Sequence, residues 1–290
     1  MKYAFIDKFK EKFSIKLMCK ILGVSRSGYQ NWRKIPSPNA VQKFNLIRTI
    51  EKIFIGSRNT YGSPRIYAQL KGMGFKVSKS TVERIMRQYG LKAKKRRKFK
   101  PTTDSNHSRP IAPNLLDRQF NQKQPNKVWL SDITYISTSQ GWLYLATVMD
   151  MCTRKIVGWK LDNRMTANLV SESLKAALGS EYPQPGLILH SDRGSQYASK
   201  QYLQLIWKNK LIQSMSRKGN CWDNAPMEIF FDTLKSEFVH HQIFKSKDEA
   251  KSKIFEWIEV FYNRQRIHSS LGYKSPTCFF DMIMREEKVA

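Results

Sequence analysis

This 290-residue chain has no unbroken run of ~18 apolar residues, so no part of it reads as a membrane-spanning helix. Its first residues, MKYAFIDKFKEKF, lack both the uninterrupted apolar stretch and the small-residue cleavage site of a secretory leader, so none is expected. Cysteine is sparse. Cys19, Cys152, Cys221 and Cys278 lie far apart without a C-x-x-C pair, and the five histidines are scattered apart from His240-His241. That excludes a disulfide framework and a structural zinc cluster, and points to a reducing compartment. Acidic residues are also in deficit, with 23 Asp and Glu against 51 Lys and Arg, a net charge of +28.

The excess is uneven. Residues 1–110 carry 27 Lys and Arg but five Asp and Glu, a net +22, and the stretch 91–100, LKAKKRRKFK, holds seven basic residues. Charge this dense and unbalanced implies a polyanionic partner. Nucleic acid is favoured over a membrane surface, because no lipid-facing amphipathic helix accompanies the charge.

Two helix-turn-helix units are expected within a basic region 1–99, over about 14–34 and 63–90. In the first, Ile15, Met18, Cys19 and Leu22 recur at helical spacing, Gly23 breaks the helix, and Ser25 or Ser27 caps a second one bearing Tyr29 and Trp32. In the second, Pro64 follows Ser63 at a helix start, Gly72 and Gly74 turn the chain, and Ser78 or Ser80 opens a helix with Val82, Ile85 and Met86 inward. Thr81, Arg84, Arg87 and Gln88 then face outward, where they suit base edges and phosphates. Residues 100–126 hold four prolines among polar residues and read as a linker. From Lys127 the pattern changes. KVWLSDITYIST, WLYLATVMD and RKIVGWKLD are aromatic and β-branched runs joined by short turns, an antiparallel meander. A helix from Thr166 to about Leu178, the strand LILHSD, a helix over 200–209 and the strand LIQSMS follow. Three antiparallel strands and then αβαβα is the order of a ribonuclease-H-like mixed sheet, an α/β fold, expected over 127–242. Two more helices, about 225–240 and 248–263, close the chain, the second within a C-terminal segment 243–290 that ends in a basic tail.

Three carboxylates stand out. Asp132 interrupts the face formed by Val128, Leu130, Thr134 and Ile136, and a carboxylate on an apolar strand face is costly unless paired or metal-bound. Asp192 ends another strand, where open α/β sheets place ligands. If the two strands are neighbours, the aspartates lie side by side and call for a hard divalent cation. Glu228 falls in the first turn of the 225–240 helix, with Asn224 as N-cap, Pro226 behind it and Met227, Phe231, Leu234 and Phe238 as the buried stripe. Each has an ordinary structural explanation alone. Together, Asp132, Asp192 and Glu228, with 35 residues between the last two, form the acidic triad pattern of DDE recombinases.

The motifs SDITYI, GWLYLATVMD, RKIVGW, HSDRGSQY, SMSRKGNCWDNAPMEIFFDTLKSE and YNRQRIHSSLGYKSP resemble OrfB, the catalytic half of the split transposase of the IS-three insertion-sequence family, in its IS-one-fifty-like branch. The resemblance covers nearly the whole chain. It implies a retroviral-integrase-like core in which Asp132, Asp192 and Glu228 hold two Mg²⁺ ions, with Mn²⁺ as substitute, about 3.5–4 Å apart across an in-line displacement at phosphorus. It also implies strand cleavage at the element's ends, strand transfer through a circular intermediate, and frameshift fusion to an upstream OrfA, since leucine-zipper-like heptads are missing here.

The expected partners are the inverted-repeat ends and target duplex DNA, bound as an oligomer, in the cytoplasm of a bacterium and associated with its nucleoid. Expected DNA contacts are Arg65, Ser80, Thr81, Arg84, Arg87, Lys94, Lys95, Arg96 and Arg97 in the basic region. Arg217, Lys218, Asn220, Lys235, Asn263, Arg264 and Arg266 are expected contacts nearer the triad, whereas Trp222 is expected to pack. From the residues alone, a nuclease without strand transfer and a DNA-binding repressor without catalysis remain alternatives.

Overall fold

The computed structural model describes residues 1–33, 38–94 and 110–289. Lys95, Arg96 and Arg97, nominated above as DNA contacts, lie outside them.

The first helix-turn-helix unit is a three-helix cluster: α1 (Lys2–Phe9), α2 (Ile15–Ile21) and α3 (Arg26–Arg33). Ile6, Met18, Cys19 and Tyr29 form its core, and Ser25 Oγ accepts from the Gly28 amide (2.9 Å), as expected of a cap. The second unit contains α4 (Pro38–Gly56), α5 (Ser63–Gly72) and α6 (Lys79–Gln88). Ser78 caps α6, accepting from the Thr81 amide (3.2 Å). Val82, Ile85 and Met86 are buried while Arg84, Arg87 and Gln88 are exposed, the division expected from 3.6-residue periodicity. Helix α4 was not anticipated, although Leu46, Ile50, Ile53 and Phe54 recur at helical spacing and enter the same core.

Strands β1 (Val128–Thr138), β2 (Gly141–Asp150) and β3 (Ile156–Asp162) form the expected meander. Helix α7 (Ala167–Glu181), capped by Thr166, leads to β4 (Ile188–Ser191). Helix α8 (Lys200–Lys208), capped by Ser199, leads to β5 (Ile212–Met215). The sheet order is β3-β2-β1-β4-β5, with β1–β4 and β4–β5 parallel and the rest antiparallel, the ribonuclease-H-like arrangement. Strand periodicity divides β1 between two cores. Val128, Leu130 and Ile136 face α9 (Ala225–Glu237) and α10 (Lys247–Phe255), whereas Trp129 and Ile133 face α7 and α8. Helix α10 continues as a π-helical stretch, Glu256–Gln265, and α11 (Pro276–Val289) packs against that stretch.

Two expectations about organisation change. The described part of the proline-rich stretch, 110–126, is no free spacer: Leu116 is buried in the core, the Leu115 amide donates to Ser214 Oγ (2.9 Å), and the Met215 amide donates to Pro113 O (3.3 Å). The segment from 243, expected as a C-terminal helix and basic tail, also contributes to the core. Phe244, Ile254, Trp257, Ile258, Phe261 and Tyr262 join Met227, Phe230, Phe231 and Leu234 of α9 in the core on that face of the sheet.

The same C-terminal segment docks the second helix-turn-helix unit. The Ile267 amide donates to Tyr61 Oη (2.7 Å), Ile267 itself enters the α4–α6 core, and Arg58 pairs with Glu256 (2.6 Å). At the centre, Arg266, 1% exposed, donates from Nε and Nη2 to the two carboxylate oxygens of Glu237 (2.7 and 2.6 Å). Arg65 approaches the same carboxylate (3.7 Å), and Lys94 Nζ donates to the Glu237 carbonyl (3.1 Å). Removing one member of such a pair leaves a buried charge uncompensated. Glu237→Gln is expected to lose about 3–5 kcal/mol in urea denaturation, and adding Arg266→Met should recover part of it. An unchanged midpoint for the single variant would contradict this role.

Candidate active site

In the parallel register of β1 and β4, Ser131 is opposite Ser191. Asp132 and Asp192, the next residue on each chain, therefore leave the sheet side by side. Both are only partly covered, so the crevice is open to solvent. Burial first, and then the neighbouring charge of Asp192, holds the Asp132 carboxyl well above the usual carboxylate range. Glu228 adds to the rise, while the Ile133 amide and Lys235 oppose it. Tyr197, buried with its hydroxyl 3.2 Å from Ser131 Oγ, is likewise pushed up by burial and then by the two aspartates, so its phenol stays protonated. Asp192 Oδ1 accepts from the Gly194 amide (2.9 Å). A Cβ at Gly194 would stand 3.0 Å from that oxygen, which explains the glycine in HSDRG. His190 is not a catalytic base in this arrangement. It is fully buried between Ser214 Oγ (2.8 Å) and Ser216 Oγ (3.2 Å), and burial lowers its pKa to about 4, leaving it neutral at pH 7.

Glu228 lies in the first turn of α9, half-buried, with burial raising its pKa. Met227, Phe231, Leu234 and Phe238 form the expected buried stripe, joined by Phe230. Asn224 sits at the N-cap position without a side-chain cap; a 3₁₀ turn, Cys221–Asn224, precedes the helix, and Asn224 Nδ2 instead reaches Ser131 O (3.4 Å). That bond ties the start of α9 to the residue before Asp132. Glu228 is within electrostatic reach of Asp132, but among the described residues no three His, Cys, Asp or Glu side chains form a closed ligand cluster. The donors are carboxylate oxygens alone, two of them adjacent and mutually repelling. Such a set fits a hard divalent cation and not a soft one.

The loop between β5 and α9 is organised by Asp223, which the sequence did not single out. Its side chain is fully buried and accepts from Asn114 Nδ2 (3.0 Å), Arg118 Nε (2.9 Å), the Arg217 amide (2.9 Å), and Arg217 Nε (2.9 Å) and Nη2 (2.8 Å). These bonds, those of Arg217 foremost, hold its pKa far below the usual carboxylate range. A carboxylate so committed is not a candidate cation ligand.

The nominated DNA contacts divide accordingly. Ser80, Arg84, Arg87, Lys218 and Arg264 are exposed, and Thr81 is half-buried on the same helix as the first three. Arg217 is half-exposed despite its bonds to Asp223, and Asn220 Oδ1 accepts from Arg118 (2.9 Å). Lys235 stands over the Tyr135 ring (4.4 Å) and feels the Asp132 charge. Lys94 is turned partly inward to Glu237. Three are corrected. Arg266 and Arg65 serve the Glu237 network, and Asn263 is buried, clamping the Ile156 amide and carbonyl (2.9 and 3.0 Å). Trp222 does not pack as expected; it is 66% exposed.

Models of an integrase core domain match residues 122–221 and 209–276, and a model of an HTH-like domain matches 42–99. The chain is 47% identical over 263 residues to an uncharacterized 31 kDa protein of insertion element IS600 from Shigella sonnei, covering 90% of this chain and 97% of that one. It is 40% identical over 282 residues to transposase InsF for insertion sequence IS3A from Escherichia coli (strain K12), covering 96% and 98%. Among solved structures, the simian T-cell lymphotropic virus intasome aligns at TM-score 0.47 and 14% identity, over 71% of this chain and 67% of that chain. The HTLV-2 integrase catalytic core in complex with magnesium aligns at TM-score 0.42 and 14% identity, over 54% and 97%. With an HTH-like domain, an integrase core and such identity to InsF along nearly its whole length, the chain belongs to the IS-three family of insertion-sequence transposases.

Proposed function

We propose that this transposase cleaves DNA at the ends of its insertion sequence and transfers the freed strand, with Asp132, Asp192 and Glu228 as the reacting centre. The observation that carries this reading is the register of β1 and β4, which sets Asp132 beside Asp192 in an open crevice at the cost of mutual repulsion. Asp132 and Asp192 would hold the cation, with Glu228 of α9 as the third carboxylate. When bound, Mg²⁺, or Mn²⁺ in its place, supplies Lewis-acid polarisation of the attacked phosphate and charge stabilisation at the leaving oxygen. Hydrolysis leaves a 3′-hydroxyl at the element's end. That hydroxyl then displaces a second strand's 3′ oxygen, one phosphodiester forming as another breaks. Lys235 sets a positive charge beside Asp132, and Lys218 with the exposed part of Arg217 meets DNA phosphates flanking the crevice.

Helix α6 enters the major groove with Thr81, Arg84 and Arg87, while Ser80 at its start meets the backbone. We divide the chain into a basic helix-turn-helix region, residues 1–94 with the basic run beyond, and a catalytic region that begins near 110 and includes the C-terminal helices. Assembly as an oligomer on DNA, fusion to an OrfA product and residence in the bacterial cytoplasm near the nucleoid belong to the same reading. Among the described residues no helix is long and apolar enough to cross a membrane.

Asp232, one turn beyond Glu228 and ~6 Å further along the helix axis, is the nearest substitute for the third carboxylate. Glu228→Gln, nearly isosteric, is expected to abolish cleavage and strand transfer while folding and DNA binding persist. Asp232→Asn should keep most activity, and the reverse pattern on a substrate carrying one element end would displace Glu228 from its role. In chelator, Asp132→Asn should raise the melting temperature by roughly 2–4 °C for each kcal/mol of relieved repulsion. Millimolar Mg²⁺ should then stabilise the wild type but not the variant, because only a native-state ligand shifts the unfolding equilibrium. Equal Mg²⁺ shifts in both would argue against cation binding at Asp132. Finally, Arg84→Ala and Arg87→Ala should each lower the slope of log affinity against log salt by about one; a slope unchanged in both variants would remove α6 from the DNA interface.

A further inference from the structure

We propose that the Trp222 indole stacks on an unpaired base beside the scissile phosphate and holds the DNA end splayed for entry into the crevice. The proposal rests on the strand-cleavage reading above and adds a base-binding side chain to it. A lone exposed tryptophan carries little meaning by itself. Trp222, however, is 66% exposed in a turn that is anchored immediately behind it. The next residue, Asp223, is fully buried and held by Asn114, Arg118 and Arg217. Asn224 then reaches the carbonyl of Ser131, the neighbour of Asp132 (3.4 Å). The short turn that commits Asp223 and Asn224 to the interior leaves Trp222 outside, two residues before the Asn224 bond to Ser131 and six residues before Glu228.

The rest of the loop supplies the other half of a single-strand site. Arg217 and Lys218 are exposed just ahead of the turn, and sites for unpaired nucleic acid combine cationic side chains along the backbone with an aromatic face for the bases. Other exposed aromatics lack this setting. Trp207 lies at the far end of α8, where the chain returns to the start of β5 opposite Ile188, away from the Asp192 end of β4. Trp142 is already edge-on to Tyr135 (5.1 Å). The chemistry supplies the need. A phosphate within a closed duplex end must reach carboxylates set in a crevice, and opening the last base pairs costs stacking that an aromatic face restores.

The test uses the full chain and duplex oligonucleotides carrying the terminal repeat and flanking DNA of its own element. One version is fully paired, and one has mismatches at the pairs flanking the scissile phosphate. Trp222→Ala should slow cleavage of the paired end roughly 10- to 100-fold, the factor expected for loss of one base–aromatic stack. Trp222→Phe should retain most of the rate, and the mismatched end should bring Trp222→Ala close to wild type. A second readout needs no turnover: 5-iodouracil beside the scissile phosphate should photocross-link to Trp222 in the wild type. Equal slowing of Trp222→Ala on both substrates, wild-type rates on both, or a cross-link mapping elsewhere would overturn the stacking role. A wild type that cuts neither substrate yet cross-links at Trp222 would instead overturn the cleavage reading while upholding the stack.

Discussion

The parallel pairing of β1 with β4 is the constraint on which the rest of this molecule depends. Ser131 opposite Ser191 forces Asp132 and Asp192 together, and two carboxylates that close resist simultaneous ionisation. The sheet enforces the approach because β1 is its central strand, held by β2 on one side and β4 on the other, with a separate hydrophobic core on each face. Local design follows from this. Gly194 leaves room for the Asp192 oxygen, Tyr197 stays a neutral phenol within reach of both aspartates' charge, and His190 is kept uncharged between two serines.

Helix α9 links the crevice to the DNA-binding side. Glu228 is in its first turn and Glu237 is its last residue. At the Glu237 end the buried pair with Arg266 gathers Arg65 and Lys94, while Tyr61 and Ile267 join the adjoining backbones. The helix that presents the proposed third carboxylate is therefore also the one against which α4–α6 are seated.

The fold was legible to the extent that its elements follow one period. The meander, the αβαβ succession and the inward residues of α6 and α9 all appear as alternation or helical spacing, and the aspartates were found because each interrupts or ends such a pattern. What stayed hidden depends on long-range partners. Nothing around Asp223 in CWDN announces that Arg118 and Asn114, more than a hundred residues earlier, converge on it. Arg266 and Asn263 look like surface residues in a basic motif, yet both are buried because the C-terminal segment covers a sheet face. Proline content made 110–126 resemble a linker, whereas Leu115 and Leu116 fasten it to β5 and the core. Helix α4 was readable from its apolar spacing and from the Ser37-Pro38 start and Gly56 end that frame it.

The different treatment of its carboxylates explains how a chain of net charge +28 keeps an acidic crevice available for chemistry. Asp223 and Glu237 are satisfied by guanidinium groups, and their charge is spent on structure. Asp132 is treated differently. Its opposing influences, one amide and the amine of Lys235, do not offset burial and its acidic neighbours. Had a guanidinium neutralised it, the crevice would be stable and inert. Left as it is, the acidic pair opposes the approach of a phosphate that the basic chain attracts. In the proposed reading a small cation between carboxylate and phosphate would offset that repulsion, so cation and DNA would favour each other's binding, and the residues withheld from guanidinium pairing are the ones on which the proposed reaction turns.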